Sequence, residues 1–456
     1  MSCGIIRDET RPEPAMSVFA WAHACPTHAA VVDNGVRISR AALARMVAER
    51  MKTIARPPRG RPAFLVPKAD LESLVDLLAH WEARIPAALL SPKLTALEHQ
   101  TLIAHADAIA EPLPEACAFV VFTSGTTGAP KPAILTRDAL ASGARAMVRA
   151  LRMTPDDVFE LSLSPARVGG LGIVMRALAS GCAVALSPGF SGAGFPAKLA
   201  RDGVTLASLV PAMLADVLER NPAWRPAARL RAILIGGAPF PDRLRGEAAR
   251  RGIPVMTTYG MTETGSTSAL SPFENRLSPV PVGEFPLEGA AFRAEGGLLA
   301  LRGPMLFAGY WGRPAPVRDG WFETGDAGLL NADGSIRILG RTSDMIITGG
   351  EKVVPTEVES ALESLPGIRE ALVLGMPDEK WGQIVTALLV SESAARPPVS
   401  AIVQGLAARL ARWKSPRRIA WVERLPLTAA GKRNRRPEVL KGLAFDVLHF
   451  RSAQPA

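Results

Sequence analysis

The segment FVVFTSGTTGAPKPAILT, from Phe119 to Thr136, combines residue types that suit the binding of phosphate groups. A strand-like apolar run leads into a loop of hydroxyls, glycines and one lysine, and apolar residues follow. Glycines let a backbone approach a ligand closely, while backbone N–H groups, hydroxyls and an ammonium group complement phosphate oxygens. The residues that carry this prediction are Thr123, Ser124, Gly125, Thr126, Thr127, Gly128 and Lys131.

This loop does not match the two commonest nucleotide-binding fingerprints. No Gly-Lys-Ser/Thr follows at the distance that a Walker A loop requires, and the chain contains no GxGxxG. The alternative interpretation is a surface turn rich in glycine and threonine. The lysine and the glycine-hydroxyl contacts directly after a buried run favour phosphate binding.

A serine hydrolase site is not expected. The segment GFSGAG, which begins at Gly189, resembles a nucleophile elbow, but Ala193 stands where that turn requires glycine. The only histidine later in the chain is His449, near its end. The chain has 6 histidines and all lie outside the glycine-rich segments, so we do not expect a histidine base.

The elements that must position the loop follow an α/β pattern. Up to Tyr259, strand-like runs such as PAFLVP, VTLASLVP and LRAILIGGAP alternate with helix-like runs such as ADLESLVDLLAHWEA and AMLADVLERN. This alternation predicts βαβ units and a largely parallel sheet covered by helices. Ligands of such sheets bind in loops that follow the carboxyl ends of strands.

The pattern of strand-like and helix-like runs changes after Tyr259. Residues 280–340 read as short strands separated by turns, with a hairpin at Asp333-Gly334, and predict a small antiparallel β lobe. A compact α+β segment follows. The polar step LGRTSDMI predicts a boundary between an N-terminal domain, residues 1–342, and a C-terminal domain, residues 343–456. We expect the tail, residues 451–456, to be disordered.

Composition and charge limit the function classes. The chain has 456 residues, of which 48% are hydrophobic, and a net charge of +10. This length and composition predict two or three folded lobes. Basic clusters at Arg243–Arg251, Arg412–Arg418 and Lys432–Arg436 are interpreted as solvated faces that attract anionic small molecules. Nucleic-acid binding is not expected, because no helix-turn-helix, zinc-finger or RNP signature is present.

The spacing of the cysteines and the length of the apolar runs indicate the cellular compartment. The 4 cysteines are scattered and form no CxxC pair, which argues against a disulfide framework or a structural zinc site. No apolar run reaches transmembrane length, and the first residues lack the apolar core of a signal peptide. We therefore expect a cytoplasmic protein without membrane insertion.

Five segments resemble, in family order, the motifs of the adenylate-forming superfamily. They are FTSGTTGAPKPA, TTYGMTETG, GWFETGDAG, ILGRTSDMIITGGEKVVPTEVE and LPLTAAGKRNR. The superfamily includes acyl- and aryl-CoA synthetases, luciferases and peptide-synthetase adenylation domains. The resemblance implies a large N-terminal lobe and a small mobile C-terminal domain. It also implies a two-step reaction, in which a carboxylate and ATP form an acyl-adenylate and a thiol, usually of coenzyme A, then displaces AMP.

The resemblance assigns roles in binding ATP and Mg²⁺. The loop that ends at Lys131 would hold the β- and γ-phosphates. Tyr259 would stack on adenine, beside Gly260, and Thr262 would contact the α-phosphate. Glu263 would bind Mg²⁺, since a carboxylate together with phosphate oxygens is a normal Mg²⁺ environment.

Further assignments concern the ribose and the C-terminal domain. Asp326 would accept hydrogen bonds from the ribose hydroxyls, and Arg341 would reach the ribose or a phosphate. Asp344 matches the family's hinge aspartate. Lys432 matches the lysine that enters the site for adenylation, with membership of a basic run as the alternative. Gly349 and Gly350 would line the pantetheine tunnel.

The acid is indicated by a resemblance to the o-succinylbenzoate–CoA ligases of menaquinone synthesis. LSPARVGGLGIVMRALASGCAVAL resembles their acyl-pocket segment, and AILIGGAPFP and ARRGIPVMTTYGMTET follow their pattern. Many relatives place a histidine where this chain has Ala166-Arg167. An arginine there suits the second carboxylate of o-succinylbenzoate, with a purely structural arginine as the alternative.

The remaining pocket assignments follow from the same resemblance. Arg176 is a weaker candidate for the carboxylate, because it lies further along a helix where we expect it to face solvent. The other predicted pocket residues are Gly170, Gly236 and Ala238, with Gly237 beside the adenine.

Other functions remain open at this point. The acceptor could be the phosphopantetheine arm of an acidic carrier protein, which the basic helix faces would suit. A degenerate relative that only binds nucleotide is a further alternative, although Glu263 and Lys432 are both retained. The family often dimerises, so a homodimer is an expectation of the resemblance alone.

Overall fold

The computed structural model describes residues 16–123, 131–427 and 433–448. The backbone divides into two compact units. The first, here called the large unit, runs up to Gly237 and also contains Ala248–Ala291 and Leu301–Phe322. The second, the small unit, contains Ala238–Glu247, Phe292–Ala300 and the chain from Glu323 onward. The predicted domain boundary at Ser343 stays a prediction.

The helices and strands of the described residues follow the predicted alternation. The helices are α1 Val18–Ala24, α2 Arg40–Thr53, α3 Leu71–Ala83, α4 Ala96–Asp107, α5 Arg137–Ala150, α6 Val168–Ser180, α7 Phe195–Asp202, α8 Pro211–Arg220, α9 Asp242–Arg250, α10 Pro355–Glu363 and α11 Val399–Ala407. The strands are β1 Ala29–Asp33, β2 Val36–Ser39, β3 Ala63–Leu65, β4 Ala87–Leu89, β5 Cys117–Thr123, β6 Lys131–Thr136, β7 Val158–Leu161, β8 Ala183–Leu186, β9 Leu206–Leu209, β10 Ala232–Ile235, β11 Val255–Met261, β12 Ser266–Leu270, β13 Phe285–Pro286, β14 Ala291–Glu295, β15 Leu298–Arg302, β16 Gly309–Tyr310, β17 Val317–Arg318, β18 Trp321–Leu330, β19 Ile336–Arg341, β20 Ile346–Thr348, β21 Glu351–Val353, β22 Ile368–Asp378, β23 Gly382–Ser391, β24 Arg418–Trp421 and β25 Asp446–Val447.

The large unit contains two sheets. The larger has nine strands in the order β13-β12-β11-β10-β9-β7-β8-β1-β2, and the smaller has five in the order β16-β6-β5-β4-β3. The middle of the larger sheet is parallel, and its two ends are antiparallel. The central strands are buried, as parallel strands covered on both faces must be, and they are apolar except for Glu160 on β7. The predicted α/β class is confirmed.

Residues 291–341 contain the predicted antiparallel strands. Strands β14, β15, β18 and β17 lie in that order, and β19 pairs with β18. The β18–β19 pairing is antiparallel and closes through a turn in which Gly334 has φ +85°. The Asp333-Gly334 hairpin is therefore present as predicted.

The small unit also has its own sheet. Its order is β21-β20-β23-β24-β25, with β22 beside β23. Helices α10 and α11 pack on it around buried residues such as Val358, Leu362 and Ile402. This arrangement is the α+β segment that the sequence predicts.

Two further observations concern membrane-spanning helices and the cysteines. Within the described residues, no helix is long and apolar enough to cross a membrane. The described cysteines, Cys25, Cys117 and Cys182, are buried and form no disulfide. Burial raises the pKa of Cys117 and of Cys182 to about 12 in each case.

Candidate active site

The phosphate loop begins and ends on a β hairpin. Thr123, the last residue of β5, lies opposite Lys131, the first residue of β6. The Thr123 hydroxyl donates to the Lys131 carbonyl over 3.4 Å, and both residues are half-buried. The predicted site residues Ser124, Gly125, Thr126, Thr127 and Gly128 lie outside the described residues. Their assignment to phosphates stays a prediction.

The residues predicted to hold the α-phosphate and Mg²⁺ lie on the turn between β11 and β12. Thr262–Thr264 form a short 3-10 helix there, and Thr262 and Glu263 are half-buried. Gly260 precedes this turn, and a Cβ at that position would lie 1.8 Å from the carbonyl oxygen of Ser266. Only glycine therefore allows β11 and β12 to meet here.

Hydrogen bonds fix the shape of this turn from within. The Thr264 hydroxyl oxygen lies 3.0 and 2.9 Å from the carbonyl oxygens of Met261 and Ser266, which share its single proton as acceptors. The same oxygen accepts the N–H of Met261 at 3.1 Å. Thr264 is buried, so these contacts hold the adjacent Glu263 on a rigid element.

Glu263 receives two contacts from the segment that precedes and contains β16. The Tyr310 hydroxyl donates to Glu263 Oε1 at 2.6 Å. The N–H of Phe307 donates to the Glu263 carbonyl at 2.8 Å. Sequence reasoning missed Tyr310, although a tyrosine in an apolar setting needs a hydrogen-bond partner and the chain has only 2 tyrosines.

The donor set at Glu263 fits Mg²⁺. The Tyr310 hydroxyl occupies one lone-pair site on Glu263 Oε1. A carboxylate has about four such sites, so the Glu263 carboxylate can bind a cation at the same time. Among the described residues, no group of three or more Asp, Glu, His or Cys side chains could hold a metal. One carboxylate with substrate phosphates is a usual arrangement for Mg²⁺ in nucleotide sites.

Tyr259 is the predicted adenine platform. It lies on β11, is half-buried and packs against the core of the large unit. The Ser268 hydroxyl donates to its carbonyl at 3.3 Å. Gly236 and Gly237 follow strand β10, and a Cβ on Gly236 would lie 2.3 Å from the Thr258 hydroxyl. Ala238, the next residue, is half-buried.

Arg167 precedes helix α6 at its N-cap position and is half-buried. Its Nη1 donates to the carbonyl of Phe122, on β5, at 3.2 Å. Burial lowers the pKa of its guanidinium. Phe122 immediately precedes Thr123, so Arg167 lies next to the strand that leads into the phosphate loop.

Arg176 does not face solvent, and that expectation was wrong. Helix α6 is buried on nearly all sides, and Arg176 is only 3% exposed. Its Nη2 donates to the hydroxyls of Ser266 and Thr267 at 2.8 and 3.0 Å. Burial lowers its pKa to about 10. Arg176 therefore binds the strand β12, which follows the Glu263 turn. Its assignment to substrate stays a prediction.

Gly170, predicted to line the acyl pocket, is buried in α6. A Cβ there would lie 2.3 Å from the Leu163 carbonyl oxygen and 2.4 Å from Ser164 backbone atoms. A close approach between α6 and the preceding loop therefore requires glycine at this position. Binding of substrate by Gly170 stays a prediction.

In the small unit, the two residues predicted to contact the ribose are direct neighbours. Asp326 on β18 lies opposite Arg341 on β19. Arg341 Nε is 2.8 Å from Asp326 Oδ1, and Arg341 Nη1 donates to the Thr324 carbonyl at 3.0 Å. Asp326 is buried and Arg341 is exposed. The guanidinium holds the carboxylate in one orientation.

The predicted hinge and tunnel residues also lie in the small unit. Asp344 ends a 3-10 turn and is exposed. Gly349 and Gly350 have φ +59° and +87° and form the two-residue turn between β20 and β21. Positive φ at both positions is typical of a type I′ hairpin. A Cβ on Gly349 would lie 2.7 Å from the ring of Trp381.

Arg433 and Arg435 belong to the basic run Lys432–Arg436, and these two arginines are not simply part of a solvated face, as the interpretation of that run assumed. Arg433 Nη1 donates to Glu359 Oε2 at 2.7 Å, and Arg433 Nη2 donates to Glu363 Oε1 at 2.8 Å. Arg435 also donates to Glu359, and its Nε is 3.4 Å from Asp344 Oδ2. Two acids on α10 thus bind these arginines. Lys432 itself lies outside the described residues, so its role stays a prediction.

Comparison with protein-family models gives two matches. Residues 75–311 match the AMP-binding enzyme model, and residues 357–432 match the model of the AMP-binding enzyme C-terminal domain. The chain belongs to the AMP-binding enzyme family. The predicted membership of the adenylate-forming superfamily is confirmed.

Curated proteins with similar sequences include 2-succinylbenzoate–CoA ligases of two bacteria. A 2-succinylbenzoate–CoA ligase of Bacillus cereus (strain ATCC 10987 / NRS 248) is 35% identical over 331 residues, which cover 70% of this chain and 68% of the relative. A 2-succinylbenzoate–CoA ligase of Enterococcus faecalis is 32% identical over 333 residues, covering 70% and 68%. The chain and both relatives therefore share most of their length.

Solved structures of the family have the same fold. The o-succinylbenzoate CoA synthetase (MenE) from Bacillus subtilis, in complex with the acyl-adenylate intermediate OSB-AMP, has a TM-score of 0.81 and 28% identity and covers 94% of this chain and 98% of that one. The same enzyme in complex with ATP and magnesium ion has a TM-score of 0.80 and 28% identity, with 92% and 98% covered. ATP-bound MatB from Rhodopseudomonas palustris has a TM-score of 0.81 and 27% identity, with 94% and 99% covered.

Proposed function

We propose that this chain is an AMP-forming acid–thiol ligase that activates 2-succinylbenzoate with ATP and transfers the acyl group to coenzyme A. One observation in the structure carries the proposal most directly. Glu263, the predicted Mg²⁺ ligand, and Lys131, predicted for pyrophosphate, contact the same side chain, Tyr310. The names of the curated relatives and the OSB-AMP complex of the Bacillus subtilis enzyme support the choice of acid.

In the first step, a carboxylate oxygen of the acid bonds to the α-phosphorus of ATP, and the bond to the β-phosphate oxygen breaks. Pyrophosphate leaves with the electron pair. Mg²⁺ at Glu263 and the ammonium group of Lys131 would offset the charge that collects on the departing phosphates. Lys432 would do the same between the carboxylate and the α-phosphate.

In the second step, the sulfur of coenzyme A bonds to the acyl carbon, and the bond from that carbon to the AMP oxygen breaks. The thiol releases its proton, and AMP leaves. Gly349 and Gly350 would provide clearance for the pantetheine arm. Asp344 would act as the pivot between the two steps, as hinge residues absorb large backbone changes.

Arg167 is proposed as the site of the carboxylate that is not activated. It is half-buried beside the strand that leads into the phosphate loop, where a guanidinium can bind a carboxylate through two parallel hydrogen bonds. Burial strengthens such a pair, because less water competes for the charges. An arginine at this position would therefore select a diacid over benzoate.

The setting of the enzyme is proposed on the same basis. A cytoplasmic location suits the reduced, buried cysteines and the supply of ATP and coenzyme A. A homodimer, a domain boundary at Ser343 and the carrier-protein alternative for the acceptor stay predictions. None of them is needed for the two chemical steps.

A pyrophosphate-release assay tests the proposed function. Purified protein, ATP and Mg²⁺ are offered a panel of carboxylic acids, with and without coenzyme A. We expect turnover with 2-succinylbenzoate and coenzyme A, with AMP and a thioester as products. Adenylation without transfer to coenzyme A would contradict the acceptor and favour a carrier protein. No pyrophosphate release with any acid would contradict the enzyme function.

A further inference from the structure

A short segment of the large unit contacts both the predicted Mg²⁺ ligand and the predicted pyrophosphate lysine. Tyr310 lies on β16, is 9% exposed and pairs with Ala133 of β6. The N–H of Trp311 donates to the carbonyl of Pro132 at 2.8 Å. Lys131 is the residue before Pro132, so this pairing fixes the backbone from which the lysine side chain departs.

The same segment fixes the Glu263 turn. The Tyr310 hydroxyl is 2.6 Å from Glu263 Oε1, a normal length for a charge-assisted hydrogen bond between a hydroxyl and a carboxylate. The backbone of Phe307 holds the Glu263 carbonyl, and the ring of Phe307 packs edge-on against that of Tyr310 with centroids 4.9 Å apart. The tyrosine ring is therefore locked, and so is the direction of its hydroxyl.

The ring of Tyr310 has a second contact. The ammonium nitrogen of Lys131 lies 5.5 Å from the ring centroid, within the range of a cation–π interaction. One side chain thus touches two groups of opposite charge, each with a different part of its structure. The hydroxyl binds the carboxylate, and the aromatic face attracts the ammonium group.

We infer that Tyr310 is a positioning residue for the metal–phosphate site. Its hydroxyl orients the Glu263 carboxylate toward Mg²⁺, and its ring directs Lys131 toward the departing pyrophosphate. Groups that hydrogen-bond a metal ligand typically change metal affinity 10–100-fold when they are removed, because the ligand loses its orientation. This inference rests on the proposed function, since it takes Glu263 as the Mg²⁺ ligand and Lys131 as a phosphate contact.

The Tyr310→Phe variant separates the two contacts, since it removes the hydroxyl and keeps the ring. Mn²⁺ serves as the probe, and its free concentration is followed by electron paramagnetic resonance during titration of the protein with a non-hydrolysable ATP analogue. We expect Mn²⁺ to bind Tyr310→Phe about 10-fold more weakly than the unchanged protein. The measurement needs neither the acid nor turnover.

A matched control is Trp311→Phe, which removes a buried hydrogen-bond donor from the same segment. Trp311 Nε1 donates to the Glu111 carbonyl at 2.7 Å, whereas the hydroxyl of Tyr310 donates to Glu263. We expect its Mn²⁺ affinity to equal that of the unchanged protein. Equal loss in Trp311→Phe and Tyr310→Phe would mean general damage to the segment and would overturn the inference.

A double-mutant cycle keeps the inference testable if either variant is destabilised. In a Glu263→Gln background the hydroxyl has no carboxylate to orient, so adding Tyr310→Phe should change Mn²⁺ affinity less than twofold. The positioning role would be overturned if Tyr310→Phe alone bound Mn²⁺ as tightly as the unchanged protein. It would also be overturned if the effects of Tyr310→Phe and Glu263→Gln on Mn²⁺ affinity were fully additive. Failure of the unchanged protein to bind Mn²⁺ with the ATP analogue would instead contradict the proposed function.

Discussion

At the scale of single residues, Arg167 is notable for the hydrogen bonds it does not use. A guanidinium has five N–H donors, and the structure shows one of them bound to the carbonyl of Phe122. Arg167 makes no salt bridge with any residue in the part of the chain that the structure describes. A half-buried cation in this situation favours binding of an anionic group from a ligand.

Replacing Arg167 tests its selectivity for a diacid. In Arg167→Ala we expect the KM for 2-succinylbenzoate to rise about 10- to 100-fold, because a charged hydrogen-bonded contact contributes roughly 1.5–3 kcal/mol. The KM for benzoate, which has no second carboxylate, should change less than threefold or so. Steady-state kinetics with both acids provides the measurement.

Arg220→Ala is the control for this experiment. Arg220 is exposed on α8 and paired with Asp216 at 2.6 Å, so its loss should leave both KM values unchanged. Equal increases in KM for the diacid and for benzoate in Arg167→Ala would rule out recognition of the second carboxylate.

Glu160 is the second residue whose chemistry stands out. It lies on β7, is completely buried and faces the hydroxyls of Ser162 and Ser187 and the charge of Lys198. Burial raises the pKa of its carboxyl, against the smaller opposing effects of these three neighbours. The folded protein therefore retains a proton there at a pH at which an unfolded glutamate has lost it.

This raised pKa predicts how stability depends on pH. Below the pKa of an unfolded glutamate, both states carry the proton and Glu160 has no effect on the pH dependence. As pH rises above that value, the folded state binds more protons than the unfolded state, so the free energy of unfolding falls. Glu160→Gln removes this dependence, and its Tm should exceed that of the unchanged protein by a margin that grows from pH 4 to pH 8.

Thermal unfolding across that pH range provides the measurement. Glu219→Gln, on the exposed face of α8, is the control and should show a constant difference in Tm. A margin for Glu160→Gln that shrinks as pH rises would contradict the raised pKa.

At the scale of elements, helix α10 protects one edge of the sheet in the small unit. Strand β22 pairs with β23 on one side, and on its other side the N–H groups of Val373 and Ala371 donate to Glu359 and Glu363, over 2.8 and 3.0 Å. These two acids lie one helical turn apart and therefore on one face of α10. An edge strand covered in this way cannot pair with another chain.

Glu359 on this helix also neutralises the charges of two arginines. It is 2% exposed and receives both Arg433 and Arg435, so removing its charge leaves two partly buried cations without their common partner. Breaking such a pair typically costs about 3–5 kcal/mol. In Glu359→Ala we therefore expect the amide of Val373 to exchange with solvent about 100-fold faster or more.

Hydrogen exchange at single amides checks this prediction. Glu357→Ala is the matched control on the same helix, because Glu357 is exposed and pairs with Lys414 at 2.7 Å. It should leave exchange at Val373 unchanged. Unaltered exchange in Glu359→Ala would show that the pairing with β23 alone determines protection of this strand.

At the scale of the whole molecule, the net charge of +10 has a kinetic consequence. Coenzyme A and ATP are multiply anionic, and a positive protein raises their rate of encounter by long-range attraction that salt screens. We expect kcat/KM for coenzyme A to fall severalfold between about 50 and 500 mM NaCl. Pantetheine has the same thiol arm without phosphates, so its kcat/KM should change much less. Equal salt dependence for the two thiols would contradict steering by charge.

Much of the architecture could be predicted because short apolar runs and glycine turns act locally. Strands such as β9 and β10 and the hairpin at Gly334 depend on neighbouring residues. The helix-like pattern VSAIVQGLAARLAR runs from Val399 to Arg412, whereas helix α11 ends at Ala407. Apolar spacing continues past that point, so periodicity alone could not indicate where the chain turns.

The site was less predictable where it depends on distant contacts. The resemblance to a family placed Lys131, Glu263, Asp326 and Arg341, and the structure brings the last two together. Burial of Arg176 depends on β12, and the role of Tyr310 depends on the pairing of β16 with β6. Residues 90 or more positions apart in the sequence give no local signal of such a contact.

The burial of the thiols limits the side reactions of the proposed acyl-adenylate intermediate. An acyl-adenylate is an acylating agent that reacts with any accessible thiolate, including one on the protein that made it. Cys117 begins β5, the strand that leads into the phosphate loop, yet both it and Cys182 are buried with a pKa of about 12. Thiols held protonated inside the core cannot intercept the intermediate. The fold thus protects the enzyme from acylating itself at these two positions and leaves the intermediate for the thiol of the acceptor.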